Sequence, residues 1–487
     1  MSRRHRRLRQ LNQDDPSRRD FLFKGACAAL TATGIASSIV DLRLIGAAMA
    51  DTLTGTSAIT SDYKALVCIF LFGGNDGNNL IVPTDSNYSA YSGYRGVLAI
   101  PNYNPQDPTN PSNLIPLTSV QSDGHTYGLN PRMPELANLY NTDGKLAILC
   151  NVGTLLAPLT QQQYKNKSVA VPPQLFSHSD QQVEWQTAAE DQQPKTGWGG
   201  RCADLLYSLN TSNNVSMNIS LAGSNTFQVG DVINEYNVST TGAVSLNIPT
   251  SGQGPAQLQA LKDLISMNHS NLYESAFSNK MNSALVNAAT LNAAIAPTAA
   301  ANFFSTPFPA STLGGQLKMI ARLIAAAPAL GHNRQVFFAS IGGFDLHSTE
   351  GSSGGAQGNL LADLSACMNA LYKATVQLNV ANSVTQFTAS DFSRTFPVNS
   401  DSGADHAWGN HQLILGGPVQ GKKLYGTFPT LAVNGPDDTS TGRWIPTTAV
   451  EQYSATLAKW FGVSPTMIPQ VFPYVSRFAT PDLGFMG

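Results

Sequence analysis

The sequence predicts an α/β fold around a mostly parallel central sheet, and three observations lead there. Continuous apolar runs recur without polar alternation, as in strands buried on both faces. Stretches of helical spacing separate those runs, which is the order expected of a parallel sheet. Five short stretches then gather Asp and His beside glycine, each after a strand-like run or at a helix entry. They are Gly73-Gly74-Asn75-Asp76-Gly77, Ser177-His178, Gly342-Gly343-Phe344-Asp345-Leu346-His347, Ser390-Asp391-Phe392-Ser393-Arg394 and Asp405-His406-Ala407-Trp408-Gly409-Asn410-His411.

Taken in order, Lys64–Leu71 is a buried strand ending in the Gly73–Gly77 turn. Met133–Tyr140 has helical spacing, and Lys145–Val152 is a second buried strand. Asp180–Ala189 reads as a helix that Ser177 or Ser179 is placed to cap, and Trp198–Asn210 as another. Asn214–Gln253 alternates in short pieces among Gly, Asn and Thr, which predicts a small β excursion. Ala256–Ala296 is helical and stops at Pro297. The repeating unit then resumes with helix Gly315–Ala327 and strand Arg334–Ile341. Helix Leu360–Leu378, strands Ser383–Ala389 and Gln412–Leu415, and a closing amphipathic helix over Thr447–Phe461 follow. The expected organisation is an export segment over 1–50 and one domain over 51–480, with a β/helical insertion at about 205–310.

The first fifty residues read as an address. Five arginines between Arg3 and Arg9 precede Ser17-Arg18-Arg19-Asp20-Phe21-Leu22, which matches the twin-arginine pattern S-R-R-x-F-L. A weakly apolar Ala/Gly stretch and Ala48-Met49-Ala50 complete a removable signal. The expectation is export by the twin-arginine (Tat) translocase to the periplasm or beyond the cell; a retained membrane anchor is the rival. No other apolar run is long enough to span a bilayer.

Residues 1–50 hold nine Lys/Arg and four Asp/Glu of totals of 29 and 31, leaving a net charge near −7 for the remainder. That argues against a nucleic-acid partner. The five cysteines include no C-x-x-C pair, so zinc-ribbon and redox motifs fail. Buried free thiols are expected.

Only eight histidines occur, and four lie in the five stretches. Asp76, Asp345 and Asp391 each stand just beyond a strand. Carboxylates gathered at one rim repel one another unless a cation neutralises them. A divalent ion (Zn, Mn or Ca) supplies that charge, with His347, His406 and His411 as nitrogen ligands. Taken singly, each Asp also fits a turn or helix cap, and each His a satisfied core side chain.

Those stretches resemble the motifs of the bacterial domain-of-unknown-function family 1501, of the kind G-G-N-D-G, S-H-F, G-G-F-D-x-H, T-E-F-G-R-T and G-x-D-H-x-W-G. They stand here as Gly73–Gly77, Ser177–Ser179, Gly342–His347, Ser390–Thr395 and Gly403–Gly409. That family is grouped with the alkaline phosphatase and sulfatase superfamily. The resemblance implies an alkaline phosphatase-like three-layer α/β/α fold and two divalent metals cleaving phosphate or sulfate esters. Asp76 then matches a first-strand metal aspartate and Ser177 falls at the nucleophile position, although Ser177 is equally placed as a plain N-cap. Arg394 or Arg201 is the expected clamp for an anionic ester substrate. Against the superfamily, Asp345-x-His347 replaces the wider D-x-x-x-H spacing, and Phe392 occupies a His place that His406 or His411 would have to fill. Two departures from the family are Asp391 where it more often shows Glu and Ser179 where it shows Phe.

Two rivals remain. Gly351-Ser352-Ser353-Gly354-Gly355 fits a serine-hydrolase elbow, but no strand leads into it. The other is a non-catalytic envelope or secreted binding protein on a phosphatase-like scaffold, since fold alone never proves chemistry.

Overall fold

A computed structural model describes residues 59–487 apart from 119–120, 190–194, 245, 247 and 250. The predicted export signal over 1–50 lies outside the described residues. The chain is a mixed α/β protein with a large, mostly parallel central sheet. The sheet's strands are β1 (Lys64–Leu71), β2 (Leu146–Gly153), β3 (Asn218–Ser220), β4 (Tyr236–Ser239), β5 (Arg334–Ile341), β6 (Val384–Ser390), β7 (Asn410–Gly416), β8 (Leu424–Gly426) and β9 (Thr448–Ala449). Their spatial order is β8-β2-β7-β6-β1-β5-β3-β4, with β9 also paired to β2. Among these strands β7 alone runs against the rest, antiparallel to both β6 and β2.

The flanking helices include α1 (Pro134–Asn141), α2 (His178–Thr187), α3 (Trp198–Leu206), α4 (Thr312–Ala325), α5 (Ala356–Gln377) and α6 (Val450–Phe461). Alternation along the strands shows why both sheet faces are covered. Leu66, Cys68 and Phe70 share a buried cluster with Phe338, Phe387, Trp185 of α2, Trp198 of α3 and Tyr453 of α6. The alternate residues face the other helices: Gln386 Nε2 donates to the Met368 carbonyl of α5. A strand covered on both faces reads as a continuous apolar run, and β1 is buried at seven of eight positions. Burial of each large aliphatic or aromatic side chain stabilises the fold by roughly 1.5–3 kcal/mol. Cys68, Cys150, Cys202 and Cys367 are buried and free.

The region from 205 to 310 differs from expectation. Residues 243–289 form a compact unit of their own, with helices Gly254–Ile265 and Leu272–Ile295 and a core of Leu246, Leu258, Ile265, Met281 and Leu285. Ser216–Leu221, read as part of a β excursion, instead supplies β3 of the main sheet, parallel to β5. Its polar residues are buried because they are bonded: Asn218 Nδ2 donates to the Gln228 carbonyl at 2.8 Å, and Gln228 Nε2 donates to the carbonyls of Ile219 and Val336. Polar side chains bonded to backbone carbonyls break the apolar signature without breaking the strand. Among the described residues no helix is long and apolar enough to cross a membrane.

Topology then places the chemistry. β6, β1 and β5 are adjacent and parallel, with Leu71 opposite both Ser390 and Ile341. The three motif loops that follow therefore leave the sheet side by side at its carboxyl edge, where open α/β sheets bind ligands.

Candidate metal centre

Close packing of the loops requires glycine at Gly73. Its φ is +109°, and a Cβ there would stand 2.5 Å from the Asp345 amide nitrogen. The Gly73–Gly77 and Gly342–His347 turns can touch only because that side chain is missing.

Around the resulting hollow, His178, Asp345 and His406 bring one ligand atom each within 4.8 Å of one another. His178 Nε2 lies 3.0 Å from His406 Nε2, and Asp345 Oδ1 lies 3.5 and 3.6 Å from those two nitrogens. His347 Nε2 joins from the side, 2.9 Å from His406 Nε2 and 3.1 Å from Asp345 Oδ1. For a tetrahedral ion with bonds of about 2.0–2.1 Å, ligand atoms stand roughly 3.3–3.4 Å apart. The observed spacings bracket that value.

The outer ring nitrogens fix the protonation of the inner ones. His178 Nδ1 donates to Asp391 Oδ2 at 2.6 Å, and His406 Nδ1 donates to the Phe176 carbonyl at 2.7 Å. His347 Nδ1 donates to Asp405 Oδ1 at 3.2 Å. Carboxylates and carbonyls only accept, so each Nδ1 carries a proton, and in the neutral ring each Nε2 then presents its lone pair inward. Lone pairs about 3 Å apart beside a carboxylate repel, and a cation between them converts that repulsion into ligation. The donor set therefore fits a nitrogen-binding divalent ion. It fits calcium poorly, since calcium takes about six to eight oxygens.

Electrostatics follow the same geometry. The hydrogen bond to Asp391 holds the His178 pKa above its usual value, against burial. Burial pushes the His406 pKa down, so that ring stays neutral and able to ligate. Burial would raise the Asp345 carboxyl, but the Arg394 hydrogen bond and charge keep it below the usual carboxylate range. Phe392 packs its ring 4.7 Å from those of both His178 and His406, giving the hollow an apolar wall where the resemblance implied a histidine.

Not every predicted residue converges. Asp345, His347 and His406 meet. Asp391 is fully buried behind His178, where Oδ2 also accepts from Gln182 Nε2 at 2.9 Å and the Gly73 amide at 3.3 Å; it bonds His178 from behind and lies outside the His178, Asp345 and His406 group. Asp76 is turned away: it caps the short turn at Gly77–Asn79 and forms a buried ion pair with Arg95. His411 is buried too; its Nδ1 accepts from the Asn151 amide, and its ring stacks 5.0 Å over Phe428. Ser177 Oγ donates to Asp180 at 2.6 Å, with no imidazole as base. Arg394 cannot serve as a free clamp. Its guanidinium donates to the carbonyls of Gly73, Gly74 and Ala404 and, at 2.6 Å, to Asp345. Arg201 likewise bonds the carbonyls of Val471 and Thr196.

His178, Asp405 and Phe176 complete the centre, and the sequence signalled them only weakly. His178 stood in a recognised motif but equally as a mere neighbour. Phe176 sits at φ +72°, a strained conformation for a bulky residue that aims its carbonyl at His406.

A family model described as "Protein of unknown function (DUF1501)" matches residues 63–460. No curated protein matches the chain. Among solved structures, a crystal structure of Ps i-CgsB in complex with k-i-k-neocarrahexaose is similar at 8% identity. That match covers 85% of this chain and 76% of that one, with a TM-score of 0.33.

Proposed function

We propose, from the premise that this chain belongs to the DUF1501 family of proteins of unknown function, that it is an exported, metal-dependent hydrolase acting on an anionic ester. The observation that carries this is the convergence of His178, Asp345 and His406, whose ligand atoms lie within 4.8 Å of one another while Asp391 and Phe176 engage the outer nitrogens of the two imidazoles. Zinc or manganese suits that donor set. An ion held there supplies Lewis acidity and lowers the pKa of water.

The chain's own residues do the rest. His178, Asp345 and His406 hold three positions. Asp345 and His347 have side chains 51% and 47% exposed, so the remaining side of the hollow opens to solvent and to substrate. His347, polarised by Asp405, stands on that side within reach of a proton leaving an attacking water. The twin-arginine stretch Ser17–Leu22 supports export, and with it the loading of metal before or after transit.

A second reading has its own observation. His347 Nε2 also lies at ligand spacing from His406 and Asp345, and four protein ligands would close the ion off as a structural, non-catalytic centre. Metal content and turnover separate the two. We expect about one zinc or manganese per folded chain, lost in His178→Ala, Asp345→Ala and His406→Ala. Hydrolysis of an aryl phosphate, phosphodiester or sulfate panel should vanish in the same variants. Under the hydrolase reading His347→Gln keeps the ion and loses turnover; under the structural reading it loses the ion. A wild-type chain that takes up no divalent metal would overturn both.

A further inference from the structure

We infer that Arg443 is the oxyanion-binding residue of this centre, gripping the negatively charged group of the ligand beside the ion. The inference rests on the metal reading above and extends it to what the site recognises.

The guanidinium of Arg443 is pinned but unspent. Its Nε donates to the His406 carbonyl at 2.8 Å, and its carbon lies 4.6 Å over the Phe176 ring. Phe176 is the residue whose carbonyl orients the His406 imidazole at 2.7 Å. Phe176, His406 and Arg443 thus form a closed triangle that fixes the guanidinium relative to a metal ligand. Stacking on an aromatic face and one backbone bond hold an arginine plane in place at little further entropic cost on binding.

Among the described residues no hydrogen bond or ion pair uses up what remains of Arg443, whose two terminal nitrogens carry four N–H donors, and Asp405 lies near enough to feel its charge. The side chain is half-buried, so these donors are open to solvent, beside the loop that carries His406. The contrast with Arg394, all of whose nitrogens are bonded, is direct.

Charge gives the sign of the ligand. Asp345, Asp391 and Asp405 contribute three negative charges, and Arg394 and Arg443 two positive ones. A divalent ion brings the sum to plus one. A fork of parallel N–H donors beside a cation matches two oxygens of a phosphate, sulfate or carboxylate group.

The test uses the zinc-loaded full chain and three probes titrated in parallel by calorimetry: inorganic phosphate, inorganic sulfate and acetate. The wild type should bind at least one of them, and the preferred probe identifies the class of anion. Arg443→Gln should weaken that probe roughly ten- to a hundredfold, the loss of one charge-assisted pair, with zinc affinity within about threefold of wild type. Arg443→Lys keeps the charge without the fork and should fall between. Equal anion affinity in wild type and Arg443→Gln, both zinc-loaded, overturns the inference and leaves the metal centre standing. Binding of none of the three probes to zinc-loaded wild type does the same. Loss of zinc from Arg443→Gln would assign the residue to holding His406 and also overturn it. A wild-type chain without zinc uptake sinks this and the parent reading together.

Discussion

Asp391→Asn separates a carboxylate that ligates from one that orients a ligand. The Asp391 carboxylate is buried, and one oxygen receives three donors, of which His178 Nδ1 at 2.6 Å is the shortest. Asparagine keeps the shape and one carbonyl acceptor but removes the charge that raises the basicity of His178. A hydrogen bond to a charged partner contributes about 1.5–3 kcal/mol, and loss of such an outer partner typically lowers metal affinity ten- to a hundredfold. The two magnitudes agree, since about 1.4 kcal/mol corresponds to tenfold. Zinc affinity should therefore fall by ten to a hundred times, read by competition against a chromophoric chelator. Stoichiometry at saturating zinc should stay near one, because the three ligand atoms remain. Asp76→Asn is the matched comparison, being another buried post-strand carboxylate; it should leave zinc affinity within about threefold. Complete loss of zinc in Asp391→Asn would make Asp391 a direct ligand. An effect of Asp76→Asn as large as that of Asp391→Asn would refute the account of the site.

Two further outcomes test the surrounding structure. Arg95 is buried against Asp76 and Glu350, so Arg95→Met strands two carboxylates and should cost about 3–5 kcal/mol. In a metal-free melt this is a fall of roughly 3–6 °C for a chain of this size, and a change under about 1 °C would contradict it. Burial pushes the pKa of His332 and of His411 down to about 4 in the folded chain, against 6.5 when exposed. Between those values the unfolded chain binds more protons, so stability is full above about pH 6.5 and drains as pH falls toward 4. Each ring accounts for up to about 3 kcal/mol. Denaturant midpoints in metal-free buffer should drop over that window, and His332→Gln should flatten the drop; a flat wild-type profile would refute the assignment.

The parts of the fold legible in the sequence are those where one physical demand dominates. β1 and β5 are readable because helices cover both faces, so their middles, Ala65–Leu71 and Val336–Ala339, are continuously apolar. β3 reads as a short strand but not as a member of the main sheet, because Asn218 and Ser220 are buried with their side chains bonded to the backbone carbonyls of Gln228 and Gly223. Within the site, glycine beside Asp and His marked the right loops. It could not distinguish which carboxylate faces inward, because the distinguishing partner is distant in the chain. Asp76 is claimed by Arg95, and Asp345 by Arg394 from a different strand end.

The histidines make the same point with a sharper rule. His406 and His411 lie five residues apart in one motif, yet only His406 joins the centre. β7 begins at Asn410, so His411 is already a strand residue, with its ring packed on Phe428 and its Nδ1 accepting a backbone amide. His406 still belongs to the loop, and its Nδ1 donates to a carbonyl. The direction of that outer hydrogen bond, rather than the residue type, decides whether Nε2 offers a lone pair. A sequence gives the imidazole; only the fold gives the acceptor behind it. An Nδ1 that donates outward leaves a ligand facing inward, and His178, His347 and His406 share that arrangement where His411 does not.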